Sequence, residues 1–190
     1  MKRKEWKEIE KSVDELVDGE IHKKDEEGRV VIDLSIKDDS DFLSVLSDGD
    51  DPIISSEIAE FIENSTEDVS MSDSLTLRIH SNCIDDNEKQ IYPKAIKKYY
   101  LKKYSANKRE SVKNKILITI LFSLGIIALA IAIALSVNLE KALWSEVVDI
   151  VAWVFVWEAV DIWVFRNRSI RLKRRCYIQY LSMNVEFYND

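Results

Sequence analysis

Four carboxylates, Glu146, Asp149, Glu158 and Asp161, lie inside a 23-residue apolar stretch, 143–165. At ~1.5 Å per residue such a stretch covers the ~30 Å hydrocarbon layer of a bilayer. Ionisable groups in a spanning helix avoid lipid, and they mark ion passage, proton relay or assembly. On a helix turning ~100° per residue, Asp149, Glu146, Asp161 and Glu158 fall in that order around one half of the circumference. Trp153 and Trp157 fall in the same arc. Glu146 and Asp161 lie about one turn from the ends of the stretch, whereas Asp149 and Glu158 lie deeper. A charge at the centre of a spanning helix costs roughly 2.5–3.5 kcal/mol. The deep pair therefore requires protonation, a partner or water.

An earlier run, 116–137, is apolar and carries no charge. It offers the acids no counter-charge. It offers instead a ridge of small residues, Gly125, Ala128, Ala132 and Ser136, that lets another helix approach closely. Thr119 and Ser123 could hydrogen-bond a neighbour. The outer link, 138–142, is short enough to dictate a tight antiparallel hairpin. Six basic residues lie between Lys102 and Lys115 and six between Arg166 and Arg175, while the link has only Lys141 beside Glu140. The excess of positive charge on the cytoplasmic side places both termini there, as expected of a multi-pass protein of the cell membrane. Anionic headgroups would hold these basic flanks at ~1 kcal/mol per residue. The acceptor sequences at Asn64 and Asn167 then face the cytosol and are expected to carry no glycan.

The net charge of −7 conceals an asymmetry. Residues 1–90 hold 11 basic and 26 acidic residues, 91–115 hold 9 and 1, and 116–190 hold 7 of each. The acidic front excludes a nucleic-acid partner, which needs clustered Lys and Arg. The start, MKRKEWKEIEKSVDEL, has no apolar core and no cleavage site, and it does not read as a signal peptide. Cys83 and Cys176 form no disulfide framework.

Residues 1–104 read as a small cytosolic α+β domain. Trp6, Ile9, Val13, Leu16 and Val17 recur at helical spacing over 2–18. Val30, Ile32, Leu34 and Ile36 alternate with Val31, Asp33 and Ser35 as a half-buried strand. Phe42, Leu43, Val45 and Leu46 suit one short helical turn. Asp51 as N-cap and Pro52 at the first position then open a helix whose buried stripe is Ile54, Ile58, Phe61 and Ile62. Leu75, Leu77 and Ile79 mark a second strand. A third helix starts near Asp85 in a capping sequence, and Pro93 either kinks it or marks its first turn. Ile96, Tyr99, Tyr100 and Tyr104 line one side of it. The basic connector, 105–115, carries helix on into the first span, with a bend near 105–107. Beyond the second span, 166–190 comprise a basic helix and an alternating tail. With Val185 and Phe187 on one side, that tail could return as a third strand. The expected fold class is therefore a small cytosolic α+β domain followed by a two-helix transmembrane hairpin.

Other chemistry is sparse. His80 and Cys83 have ligand-like spacing beside Asp85 and Asp86, but no second cluster completes a metal site. The chain has no phosphate-binding glycine loop, no nucleophile elbow and no zinc-binding histidine pair. With four glycines and two histidines, it is expected to be no enzyme and to carry no cofactor or metal. The segment VAWVFVWEAVDIWVFRNRSIRLKRR, 151–175, resembles the acidic, Trp-rich second helix and basic exit of uncharacterised bacterial two-span membrane proteins. That resemblance implies a membrane hairpin and brings no activity or site residues. The expected role is a membrane protein with a cytosolic recognition or sensing domain. It would assemble through its acidic helix as a homo-oligomer or with another membrane protein. The alternative is an oligomeric cation or proton channel lined by the same carboxylates.

Overall fold

The computed structural model describes residues 7–9, 11–13, 23–45, 51–137 and 142–189. The chain divides into two compact units, Met1–Lys102 with Cys176–Asp190, and Lys103–Arg175. The first is mixed α+β. Its sheet has the order β1-β2-β3, with β1 at Val30–Ser35, β2 at Leu75–His80 and β3 at Asn184–Tyr188. Both pairings are parallel. The tail thus does return as a third strand, pairing Leu77 with Val185 and Ile79 with Phe187.

Alternation of side chains along a strand assigns the two faces of this sheet. Val30, Ile32, Leu34, Leu75, Leu77 and Ile79 are buried against the helices, with Val185 and Phe187 packed beside them. Asp33, Arg78, His80, Glu186 and Tyr188 occupy the other face. A strand order that advances in one direction through right-handed crossovers puts every connecting helix on one side. The opposite side carries these polar residues together with Val31 and Thr76, which are both buried, Thr76 Oγ1 donating to Asp25 Oδ2 at 3.1 Å.

Helix α1, Ser56–Asn64, starts later than the Asp51-Pro52 signal predicts. Its N-cap is Ser55, whose Oγ accepts from the Ile58 amide at 3.4 Å. Among the described residues the expected helical turn over Phe42, Leu43 and Val45 is not formed, and a single turn in which Phe42 N donates to Asp39 O at 2.9 Å ends at Phe42. Ser44 N donates to Ile53 O and Ser55 N to Phe42 O, while Leu43 bridges Ile54 in antiparallel fashion. These cross-strand bonds satisfy the backbone groups that a helical turn would have used. Phe42 is buried and stacks on Tyr92 at 4.0 Å, whereas Val45 is 88% exposed. Leu46 lies outside the described residues, as does most of the helix expected over 2–18. Residues 7–9 and 11–13 are helical.

Helix α2, Glu88–Ser136, begins with the expected cap. Asp85 Oδ1 accepts from the Glu88 amide at 2.7 Å, and Glu88 Oε2 accepts from the Asp85 amide at 2.8 Å. This reciprocal box satisfies two otherwise orphaned donors. Pro93 sits inside the helix without ending it, and the helix continues through 105–107. From α2, Tyr92, Ala95, Ile96 and Tyr100 enter the core of the first unit. Helix α3 is Ala142–Asp161, a π-helical turn comes next at Ile162–Arg166, and α4 is Asn167–Leu181. Tyr180 of α4 lies 4.6 Å from the Tyr100 ring, and its hydroxyl lies 2.8 Å from Thr66 Oγ1.

Burial, the leading cause in each case, pushes the Tyr92, Tyr100 and Tyr180 phenols above the usual tyrosine range. The folded unit therefore holds protons that the unfolded chain gives up near pH ~10. Their contribution is complete below that pH and is lost as pH climbs beyond it. Urea midpoints for the first unit should hold steady to about pH 9 and fall by about pH 11. Midpoints flat across that range would show the phenols reach solvent before unfolding.

Candidate functional site

The second unit, Lys103–Arg175, is built on contact between α2 and α3. The less exposed positions of α2 recur at Asn107, Ser111, Asn114, Ile118, Leu121, Gly125, Ala128, Ala132 and Leu135. The steps alternate four and three, the signature of a left-handed helix pair. On α3 the matching positions are Ser145, Val148, Ala152, Phe155, Ala159 and Ile162. A Cβ on Gly125 would lie 2.7 Å from Val156 Cγ2 and 3.3 Å from Ala152 O. Ser145 Oγ donates to Ala132 O at 2.8 Å. Position 125 meets 152–156 while 132 meets 145, so the two helices run antiparallel.

Part of the small-residue ridge lies in this contact. Gly125, Ala128 and Ala132 face α3, but Ser136 is exposed and its Oγ turns back to Ile133 O. Leu135 takes the position one step earlier, because the seam advances by three there and not four. Thr119 likewise donates to Lys115 O of its own helix, at 3.0 Å. The hydrogen bond between the helices comes from Ser145, which the sequence did not single out.

The carboxylates occupy the far side of α3. Taking ~100° per residue, the seam positions centre about opposite the middle of the acidic arc. Glu146, Glu158 and Asp161 are exposed, and Asp149, at the edge of the seam, is half-buried. None has a hydrogen bond or ion pair among the described residues. Trp153 and Trp157 are 62% and 71% exposed on the same side. Glu146, Glu158 and Asp161 are thus turned away from the helix that packs on α3, and Asp149 borders the contact.

The π-helical turn rotates the face that α4 inherits from α3. Asn167 N donates to Ile162 O, five residues back. That extra residue advances the buried side to Asn167, Ile170 and Arg174, and leaves Arg166, Ser169 and Lys173 exposed. Without it, a seam stepping by four and three would take Arg166 and Lys173 inward. Among the buried polar groups here, Asn107 Oδ1, Asn114 Nδ2 and Arg174 Nε have no partner. Carrying the three-four pattern of 125–135 backwards along α2 would have found both asparagines.

Beside the seam lie two apolar clefts. One of about 230 Å³ is walled by Phe122, Ile126, Leu129 and Trp153, the other, of about 320 Å³, by Ile118, Val160 and Trp163. Neither contains a carboxylate. One described helix, α2, is long and apolar enough to cross a membrane.

The ligand-like residues near His80 are otherwise engaged. His80 Nε2 lies 3.3 Å from Asp33 Oδ1 and its ring stacks on Tyr188. Cys83 Sγ lies 2.9 Å from Ser81 Oγ, Asp85 caps α2, and Asp86 pairs with Lys89. The described residues contain no group of three metal-ligating side chains. Compared with protein-family models, with curated proteins and with solved structures, the chain gives no match.

Proposed function

We propose that this chain is a two-span membrane protein whose acidic helix assembles it with other helices, and whose α+β unit is a cytosolic recognition or sensing module. The observation that carries the reading is the orientation of α3. Its small residues face α2, while Glu146, Asp149, Glu158 and Asp161 lie on the flank or the opposite side without a counter-charge among the described residues. In lipid, an open carboxylate face calls for a partner bearing Lys or Arg, for protonation, or for a water-lined assembly. The basic residues flanking both apolar stretches support the placement of both termini in the cytoplasm and contact with anionic headgroups.

Crosslinking and mass measurement in mild detergent test the assembly. The expected species is an oligomer or a stoichiometric complex, and a monodisperse monomer with no companion rejects the proposal. Orientation is tested on intact cells with an impermeant thiol reagent. Asn138→Cys, outside the described residues, should label and Ser40→Cys should not; the reverse pattern removes the topology.

The conducting alternative uses the same face, with carboxylates attracting cations or relaying protons. Trp153 and Trp157 in the same arc narrow any water path, which favours assembly over conduction. In liposomes, a cation or proton flux lost in the Asp149→Asn, Glu158→Gln double variant would reverse that preference.

A further inference from the structure

The two edges of the sheet are finished differently. The outer edge of β1 is covered where the strand begins: Val31 N donates to Lys23 O at 2.8 Å, and Lys24 bridges Val30 in antiparallel fashion. The outer edge of β3 is bare. Ser81 N donates to Tyr188 O, so the backbone of Tyr188 faces β2, and alternation turns Asn184 and Glu186 the same way. The N–H and C=O of Val185 and Phe187 therefore point outward. Among the described residues nothing pairs with them.

Proteins ordinarily blunt such an edge with lysine, proline, a bulge or a covering segment. The sequence of β3, NVEFY, has no lysine or proline, and its register with β2 is unbroken. Its one charge is held within the sheet. Glu186 accepts from Arg78 Nε at 3.5 Å, from Asn184 Nδ2 at 2.9 Å and from Tyr188 OH at 3.1 Å. Val185 and Phe187 are only half-buried. Beside Val185, on the helix side of the sheet, lies a cleft of about 270 Å³. Pro93, Ile96 and Lys97 of α2 line it together with Tyr180, Met183 and Val185.

The edge thus calls for an extended backbone with open groups at alternate residues and an apolar side chain next to them. β3 of a second copy has both. Laid antiparallel about Glu186, it sets Val185 opposite the partner's Phe187, and Phe187 opposite the partner's Val185. Each of these pairs exchanges both of its backbone bonds. The partner's Phe187 then enters the cleft beside Val185. The two Glu186 carboxylates meet, which costs stability when like charges stand unscreened, but each arrives with its own Arg78.

We propose that two copies of this chain join their sheets edge to edge through antiparallel β3 strands centred on Glu186, with Phe187 of each copy in the cleft of the other. Strands this short bury too little to hold soluble partners together. The contact forms between copies brought close by the helices, and so rests on the proposed assembly in its homo-oligomeric form.

Disulfide trapping of the full chain in mild detergent, in a background lacking Cys83 and Cys176, tests the register. Cα atoms of facing residues at 186 and at 184 with 188 would stand ~4.5 Å apart, within the ~4.4–6.8 Å span of a disulfide. Glu186→Cys should therefore form dimers on oxidation. Asn184→Cys co-expressed with Tyr188→Cys should form mixed dimers. Either one alone should form hardly any, because its own copy lies four residues along the facing strand, ~13 Å away. Val185→Pro removes a donor that β2 does not use, and should cut the mixed yield on the order of tenfold. The mixed pair keeps Glu186, so loss of the Arg78 contact in Glu186→Cys does not blunt the test. No mixed dimer, dimers of Asn184→Cys alone, or a yield unchanged by Val185→Pro each overturn the proposal. Mass measured on the same samples separates the two readings. An oligomer without these disulfides overturns the paired edges and leaves the helix assembly standing, whereas a monomer overturns both.

Discussion

Replacing Gly125 by leucine should separate α2 from α3. Even a single Cβ there meets Val156 Cγ2 at 2.7 Å, and behind it lies the backbone oxygen of Ala152 at 3.3 Å. The valine can rotate; the backbone oxygen cannot yield without moving the helix. Gly125→Ala should therefore cost about 1–3 kcal/mol, the usual range for overfilling a packed site. Leucine should exceed that range and push the helices apart. Cysteines at Ala132 and Ser145, where Ser145 Oγ now reaches Ala132 O, provide the readout in a background lacking Cys83 and Cys176. Oxidation should join them efficiently with glycine at 125, less so with alanine and hardly at all with leucine. Equal yields in all three would mean that the helices do not meet at Gly125.

Tyr100→Ala should unfold the sheet-bearing unit. Tyr100 has no exposed surface, and its ring touches Tyr99 edge-on at 5.2 Å and Tyr180 at 4.6 Å. Truncating a buried aromatic costs about 3–5 kcal/mol. A small domain holds only about 5–15 kcal/mol in total. Tyr100→Phe keeps the ring and loses a long 3.5 Å bond to Ala59 O, which is worth less than about 1 kcal/mol. Urea titration should therefore show the phenylalanine variant near the parent midpoint and the alanine variant without a cooperative transition. Similar midpoints for both variants would remove Tyr100 from the centre of the core.

Legibility in the residues depended on physical range. β1, β2 and β3 were legible because alternation is local and the apolar side chains of each strand fall mostly on one parity, although β1 and β2 also bury Val31 and Thr76 on the other and β3 is only half-buried. The α2 cap was legible because Asp85 and Glu88 satisfy each other within four residues. The start of α1 was not. Asp51-Pro52 and Ser55 both obey the capping rule, and the choice fell to bonds between 42–44 and 53–55, which no local rule sees. The acidic arc on α3 needed only the helical angle. That the arc opposes the seam required the seam itself, and the shift from Ser136 to Leu135 shows how a one-residue change of step redirects a face. The π-helical turn left no sign in residue type, because a wider hydrogen-bond step is compatible with Ile, Trp, Val, Phe and Arg alike. The Thr66–Tyr180 pair joins the turn after α1 to α4 across 114 residues, which no local pattern announces.

That separation has a temporal side. Arg78 of β2 and Glu186 of β3, joined at 3.5 Å, stand 108 residues apart, and everything between them is made first. At roughly 5–20 residues per second, β2 waits about 5 to 20 s on the ribosome for its second neighbour. Through that interval its backbone edge is open, and an open edge invites pairing with the wrong chain. The strand that closes it emerges only after both apolar helices. Translation that stops early, anywhere between those helices and β3, leaves a sheet of two strands and an exposed Leu77 and Ile79, a form that quality control can recognise as unfinished.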